Sequence, residues 1–219
     1  MSATSTHIET RWWHVRHAPV PDGGRIYGQR DLDCDCSDAR VFRAVASVLP
    51  KDAVWVTSAL KRAKQTAAAI HAASSGKHAP SGMRDYTALN EQHLGDWQGM
   101  ARTEFRKQHG LTAATFWLTK GEARAPNGES YPDLVRRVTP VIDDLTQTHR
   151  GRNIISVTHG GTIRSAIAHA LKSPLEMSHV FTIENVSITV LDHLHDPANP
   201  RADVWRVAHV NAMPWLGLP

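Results

Sequence analysis

The sequence predicts an α/β fold: a three-layer sandwich whose mostly parallel central sheet carries helices on both faces. Two observations point there. Short, nearly continuous apolar runs alternate along the chain with longer segments of helical periodicity, the pattern of parallel strands buried on both sides and joined by crossover helices. Each apolar run also ends sharply in a polar loop or a helix start, as a buried strand does where it surfaces. With no internal repeat and no long linker, the 219 residues read as one domain over 1–219, large enough to bury a substantial core.

Residues 1–10 are polar and read as a flexible N-terminal tail. Trp12-Trp13-His14-Val15 anchors a first strand over about 11–16, which ends in Arg16-His17-Ala18-Pro19. The loop 17–36 is rich in Pro, Gly and Asp. Ser37 or Asp38 caps a helix over about 38–49, with Val41, Ala44, Val45, Val48 and Leu49 on one face and Pro50 as its stop. Residues 53–57 form a buried strand, and Ser58 follows as N-cap of a helix reaching Ala73. Residues 74–82 are loop, 83–89 hold a third strand, and 90–100 are too interrupted by glycine to be regular. Helix fills about 101–119, and the stretch from about 90 to 128 reads as an insertion over the sheet edge.

Ser130-Tyr131-Pro132-Asp133 is a capping box with Pro in the first turn. Its helix carries Leu134, Val135, Val138, Val141, Ile142 and Leu145 at helical spacing and should kink at Pro140. Residues 153–158 form another strand, and His159-Gly160-Gly161-Thr162 opens a helix to about Leu171. Strands over 179–191 and 203–210, joined through 193–201, complete the sheet.

The composition, 41% hydrophobic and 21% charged, is that of an ordinary soluble globular protein. No apolar run approaches the ~20 residues of a membrane span. The N-terminus lacks the basic-then-apolar pattern of a secretory signal, so a cytoplasmic protein without a membrane partner is expected. Cys34 and Cys36 lie two apart, which suits two reduced thiols better than a disulfide or a thiolate metal site. No His, Asp or Glu cluster has metal-ligand spacing, the pair His193 and His195 included, so neither metal nor cofactor is expected. A net charge of +4 suits an acidic ligand. The basic residues are scattered, densest at Lys61-Arg62-Lys64 and Arg136-Arg137, without the clustered stripe of a nucleic-acid binder. Trp12, Trp13, Trp55 and Trp97 read as core. The apolar late strands suit a monomer or an edge-paired homodimer.

Ligands of open α/β sheets bind at the carboxyl ends of strands. Here the first strand ends in Arg16-His17, the second in Ser58 with Arg62 in the following helical turn, and a later one in His159-Gly160-Gly161. Each precedes a loop or helix N-terminus, where backbone N–H groups and the helix dipole favour anions. Two guanidiniums and two imidazoles at one edge suit a compact dianion, and the Arg fork matches phosphate oxygens bidentately.

These residues also carry a resemblance. Arg16-His17-Ala18, Ser58 with 62–67, Leu89-Asn90-Glu91 with 95–99, Gly128-Glu129-Ser130 and 156–161 resemble, in order, the motifs of the histidine phosphatase superfamily, which includes the cofactor-dependent phosphoglycerate mutases. The resemblance implies that His17 is a nucleophile forming a phosphohistidine, with Arg16 and Arg62 disfavouring its protonation. It implies that Arg16, Arg62 and His159 hold the transferring phosphoryl oxygens, with His159 protonated when the dianion is bound. Glu91 is implied as the acid for the leaving alkoxide and then the base for water. Ser58 and the Gly160-Gly161 backbone are implied as lesser donors.

Two departures stand out. Ala18 replaces the usual Gly after the nucleophile, which is tolerable unless that position needs φ > 0. Gly23 stands where many members place a phosphate-contacting Asn, so Gln29 or a backbone N–H is expected to substitute. The loop 27–32, YGQRDL, resembles that of α-ribazole phosphatases. The implied activity is metal-independent hydrolysis of a small phosphorylated metabolite, with α-ribazole 5′-phosphate one named substrate. A mutase is the alternative, disfavoured because mutases of the family carry a longer insertion ending in paired arginines, whereas 100–128 is shorter and offers only Lys120 and Arg124 in place of that pair. A non-catalytic phospho-ligand module on the same fold is disfavoured because no catalytic group is missing.

Overall fold

The computed structural model describes residues 7–75, 82–112 and 122–217. In chain order the elements are β1 (Ile8–Arg16), α1 (Ala39–Val48), β2 (Ala53–Ser58), α2 (Lys61–Ala73), β3 (Arg84–Tyr86), α3 (Arg102–Gln108), α4 (Tyr131–Thr148), β4 (Asn153–Thr158), α5 (Gly160–Leu171), β5 (Ile188–His195) and β6 (Val204–Ala212). The six strands form one sheet in the order β3-β2-β4-β1-β5-β6. β1 to β4 are mutually parallel, whereas β5 runs antiparallel to β1 and β6 antiparallel to β5. Because β4 lies between β1 and β2, Arg16 pairs with Thr158 and Thr57 with Val157. Three carboxyl ends that are far apart in sequence therefore meet along one edge.

The period-2 alternation of strands sorts the core into two layers. Trp12, Val56, Ile154 and Leu191 pack with Leu134, Val138 and Ile142 of α4 and Ile163 and Ile167 of α5. Val15, Trp55, Ile155 and Val157 pack with Phe42 and Val45 of α1 and Ala63, Ala67 and Ile70 of α2. The expected sandwich is the observed architecture. A smaller cluster of Ile26, Leu94 and Phe105 supports the loops above the carboxyl edge.

Several boundaries differ from the expectation. β1 starts at Ile8, inside the stretch expected to be a tail, because it pairs along β5 from Ile8↔His195 onward and Thr10 is buried. Asp38 caps α1, its carboxylate accepting from the backbone of Arg40 and Val41. Ser58 is not the cap of α2: pairing of Ser58 with Tyr86 extends β2, and Leu60 takes the cap position. The third strand covers only 84–86 and gives way to a 3-10 turn over Thr87–Leu89. The helix expected over 101–119 ends at Gln108, and 113–121 lie outside the described residues. The capping box at Ser130 forms, and α4 continues across Pro140 to Thr148. The strand expected over 179–191 begins only at Ile188, because 175–180 form a 3-10 turn and Val186 turns the chain at φ +63°. Cys34 and Cys36 are free thiols, their sulfurs 3.6 Å apart.

His14 is buried and stacks on Trp12, ring centroids 5.1 Å apart, and neither of its ring nitrogens has a hydrogen-bond partner among the described residues. Burial pushes its pKa down to about 3. The unfolded ring protonates near 6.5, so the stability tied to a neutral His14 is present above that pH and is lost as pH falls toward 3. His14→Phe, which keeps the stack, is therefore expected to gain roughly 2 kcal/mol on the parent between pH 7 and pH 5, read by urea denaturation at both pH values. A difference independent of pH would contradict this.

Candidate active site

The sheet order brings His17 and His159 together. The His17 amide donates to the Thr158 carbonyl at 2.8 Å, and the two rings lie 5.1 Å apart by centroid. Both side chains are buried, as is Arg62. His17 Nδ1 lies 2.7 Å from the Ala18 carbonyl oxygen. A carbonyl can only accept, so Nδ1 carries the proton and Nε2 keeps its lone pair. Four buried nitrogens have no partner among the described residues at this edge: His17 Nε2, Arg16 Nε, Arg62 Nε and His159 Nδ1. An unpaired buried polar atom is costly. Four from one cluster mark a site built to bind a polar group.

The guanidiniums are held differently from the expected bidentate grip. Arg62 spends Nη1 on the Arg30 carbonyl at 2.9 Å and Nη2 on that of Gly28 at 2.6 Å, which leaves Nε free. Arg16 spends Nη1 on the Ile183 carbonyl at 2.5 Å. Burial, then the charges of Arg62 and Arg16, hold the His17 pKa well below its ordinary value against the pull of the Ala18 carbonyl. The ring is therefore in its nucleophilic form at neutral pH. His159 is likewise lowered, by burial and then by Arg62, His17 and Arg16. Without a bound dianion it is neutral, not the imidazolium the resemblance implies for the bound state. Its Nε2 is 2.7 Å from Ser58 Oγ. A Ser58 hydroxyl donating there would leave the proton on Nδ1, which fits a neutral donor. Ser58 thus stands behind His159, its Oγ also accepting from the Leu60 amide at 3.3 Å.

Glu91 reaches the same edge from the loop after β3. Its carboxylate accepts from the Gly161 amide at 3.1 and 3.2 Å and from the Gln92 amide at 3.0 Å. The loop is fixed by donors that sequence reasoning passed over. Arg137 of α4 bonds the carbonyls of Ala88, Asn90 and Glu91 at 2.7, 2.9 and 2.9 Å while its charge pairs with Glu129. Thr158 Oγ1 adds a bond to the Leu89 carbonyl at 2.8 Å. Gly95, at φ +42°, and Gly128 allow the 93–96 and 126–129 backbones to touch, since a Cβ on either would strike the other segment.

The other sequence-derived residues are spread out. Gly160 lines the cleft at the start of α5. Gln29 spends its amide on the Glu91 carbonyl at 2.9 Å and is not among the cleft-lining residues. Gly23 is exposed on a turn, with nothing within 4 Å of a Cβ there, and is not among the cleft-lining residues. Ala18 is not in the positive-φ region, and its amide donates to Thr66 Oγ1 at 2.8 Å. The cleft above the edge has a volume of about 310 Å³ and is also lined by Tyr27, Arg102, Tyr131, Arg164 and His179. The Tyr27 ring has the Arg62 guanidinium 5.0 Å and that of Arg102 5.7 Å from its centroid. Asn185 was also passed over; its amide donates to the His17 carbonyl at 2.8 Å. The only sequence signal for Arg137 was its place in the basic pair Arg136-Arg137; Asn185 had none. Among the described residues no group of three or more His, Cys, Asp or Glu is arranged to hold a metal ion.

A Cβ at Gly161 would collide with Glu91 Oε1. Gly161→Ala should therefore displace the Glu91 carboxylate while leaving the four unpartnered nitrogens in place. The expected result is a fall in kcat of tenfold or more on alkyl monoesters, about 1.4 kcal/mol in the barrier, with phosphate inhibition nearly unchanged. Steady-state kinetics checks this; equal losses in kcat and phosphate affinity would contradict it.

Comparison with known proteins gives one consistent family. Residues 9–207 match the model described as Histidine phosphatase superfamily (branch 1). The chain is 31% identical over 215 residues to phosphoglycerate mutase-like protein 4 of Arabidopsis thaliana, covering 96% of this chain and 86% of the relative. It is 29% identical over 210 residues to a metal-independent phosphoserine phosphatase of the same plant, covering 92% and 84%. The solved structure of a native mycobacterial glucosyl-3-phosphoglycerate phosphatase superposes with a TM-score of 0.77 at 27% identity, covering 93% of this chain and 99% of that one.

Proposed function

The chain belongs to the histidine phosphatase superfamily, and from that membership we propose that it is a phosphatase that hydrolyses a small phosphorylated metabolite, without a metal ion, through a phosphohistidine on His17. The observation that carries this reading is the uncharged His17 imidazole, with its own Nε2 bare and three further unpartnered buried nitrogens from Arg16, Arg62 and His159 beside it.

In the proposed reaction Arg16 Nε, Arg62 Nε, His159 Nδ1 and the Gly160 amide grip the phosphoryl oxygens and meet the charge that spreads over them. His17 Nε2 attacks phosphorus, the P–O ester bond breaks, and Glu91 gives its proton to the departing alkoxide. Water then enters. Glu91, now a carboxylate, takes a proton from it as its oxygen attacks phosphorus, the P–N bond breaks, and the electron pair returns to Nε2. The Nδ1–H bond to the Ala18 carbonyl orients His17 for this attack.

Hydrolysis is favoured over mutase chemistry by the fate of one of the two cations on which a mutase reading would lean. The Arg124 guanidinium pairs with Asp133 at the start of α4, at 2.5 Å, and is not among the cleft-lining residues. Lys120 lies outside the described residues. A chelator-treated substrate panel should include phosphoserine and glucosyl-3-phosphoglycerate, on which relatives are named, and α-ribazole 5′-phosphate, because of the loop 27–32.

Two results test the proposal. A phosphorylated substrate should leave an acid-labile, alkali-stable label on the parent and none on His17→Ala. Glu91→Gln should slow alkyl esters by roughly a hundredfold or more, and p-nitrophenyl phosphate, whose leaving group needs no proton, far less. Label retained by His17→Ala, or equal losses on both ester types, would refute it.

A further inference from the structure

Two cations that line the cleft, Arg102 and Arg164, have no part in the scheme above. Arg164, on α5, is half-buried and lines the cleft. Its Nε donates to the Phe181 carbonyl at 2.9 Å, which fixes the guanidinium. Arg102 is neutralised by Asp22 at 2.7 Å and Arg137 by Glu129. Arg164 has no carboxylate in ion-pair contact among the described residues.

Its place in the cleft is beside Arg16, at the start of α5. The charges that act on His17 are those of Arg62 and Arg16. Those that act on Arg164 are Glu91, Arg16 and Tyr131. A Cβ placed on Gly160 would lie 3.4 Å from Arg164 Nη1 and 3.7 Å from Arg16 Nε, so the two guanidiniums converge across Gly160. A Cβ on the next residue, Gly161, would instead strike Glu91 Oε1, so Arg164 and Glu91 meet at the same first turn of α5, where in the proposed reaction the ester oxygen leaves and the rest of the substrate begins. The wall beside it is preset. Tyr131 is bonded through its hydroxyl to Ser178 Oγ at 2.6 Å, and the His179 ring packs against it at 4.3 Å.

Charge decides what this place takes. Arg16, Arg62 and Arg164 are the cations here without a carboxylate in ion-pair contact among the described residues. A phosphate ester dianion balances two of them, and Glu91, the proton donor of the proposed reaction, is bonded to the Gly161 and Gln92 amides rather than paired with any of the three. One positive charge is left over, and it lies on the leaving-group side.

We propose that Arg164 is the specificity-determining residue of the leaving-group pocket, and that it reads a carboxylate on the carbon skeleton next to the scissile ester. Tyr131 and His179 form the wall against that skeleton. This inference rests on the phosphomonoesterase reading.

The test is a set of esters of one skeleton: 3-phosphoglycerate, glycerol 3-phosphate and glycerol 1,3-bisphosphate, with the parent, Arg164→Met and Arg164→Lys. The parent should favour the acid over glycerol 3-phosphate by about tenfold or more in kcat/KM, the scale of one charge-assisted hydrogen bond. Arg164→Met should bring that ratio close to one, and Arg164→Lys should restore part of it. Equal use of the two esters by the parent, or an Arg164→Met loss that falls equally on both, would overturn the assignment. Preference for the bisphosphate over the acid would overturn the choice of a carboxylate. These failures differ from failure of the phosphatase reading, in which no ester would be hydrolysed and no phosphohistidine would form.

Discussion

The structure depends on keeping one imidazole uncharged in a place where anions are welcome. His17 is buried, and the two charges that act on it are both positive. Burial alone would disfavour its protonation, but it would also exclude a phosphate. Adding Arg16 and Arg62 reverses the second effect and strengthens the first: the same charges that repel a proton attract a dianion. In the proposed reaction, nucleophile and cradle are thus one electrostatic object.

Much of the remaining architecture serves that object. Parallel pairing of β4 with β1 and β2 sets three strand ends side by side, so no long loop is needed to gather the groups. The backbone of His17 is held from two sides, by the Thr158 carbonyl and the Asn185 amide. Arg62 is locked by two carbonyls of the 28–30 loop, so its free nitrogen points in one direction at little further entropic cost. On the far side Arg137 gathers three carbonyls of the Glu91 loop, and Gly161 leaves room for the carboxylate beside its own amide. Each of these is a hydrogen bond to main chain, which holds geometry better than contacts between mobile side chains.

This division explains what the sequence made legible. Buried strands announce themselves by apolar runs, and residues just beyond them fall at the sheet edge whatever the loops do; hence Arg16, His17, Ser58 and His159 were placed from sequence. The capping box at Ser130 was legible because its chemistry is local. The misreadings share one cause, which is dependence on distant partners. Ser58 resembles a helix cap until β3 pairs with it, and Ile8 resembles a tail until β5 does. Gln29 has the donor that a phosphate would want, but that donor is used on Glu91 from 62 positions away. Arg137, Arg164 and Asn185 sit within ordinary helix or loop sequence, and only the fold gives them neighbours.

The central claim is that His17 stands neutral, protonated on Nδ1, with Nε2 bare before any ligand arrives. Nitrogen-15 NMR of the imidazole in the unliganded protein tests this directly, since it distinguishes the two tautomers and the cation. One neutral Nδ1–H form is expected for His17 across pH 6.5 to 8. A ring that titrates near its ordinary value, or carries its proton on Nε2, would contradict it.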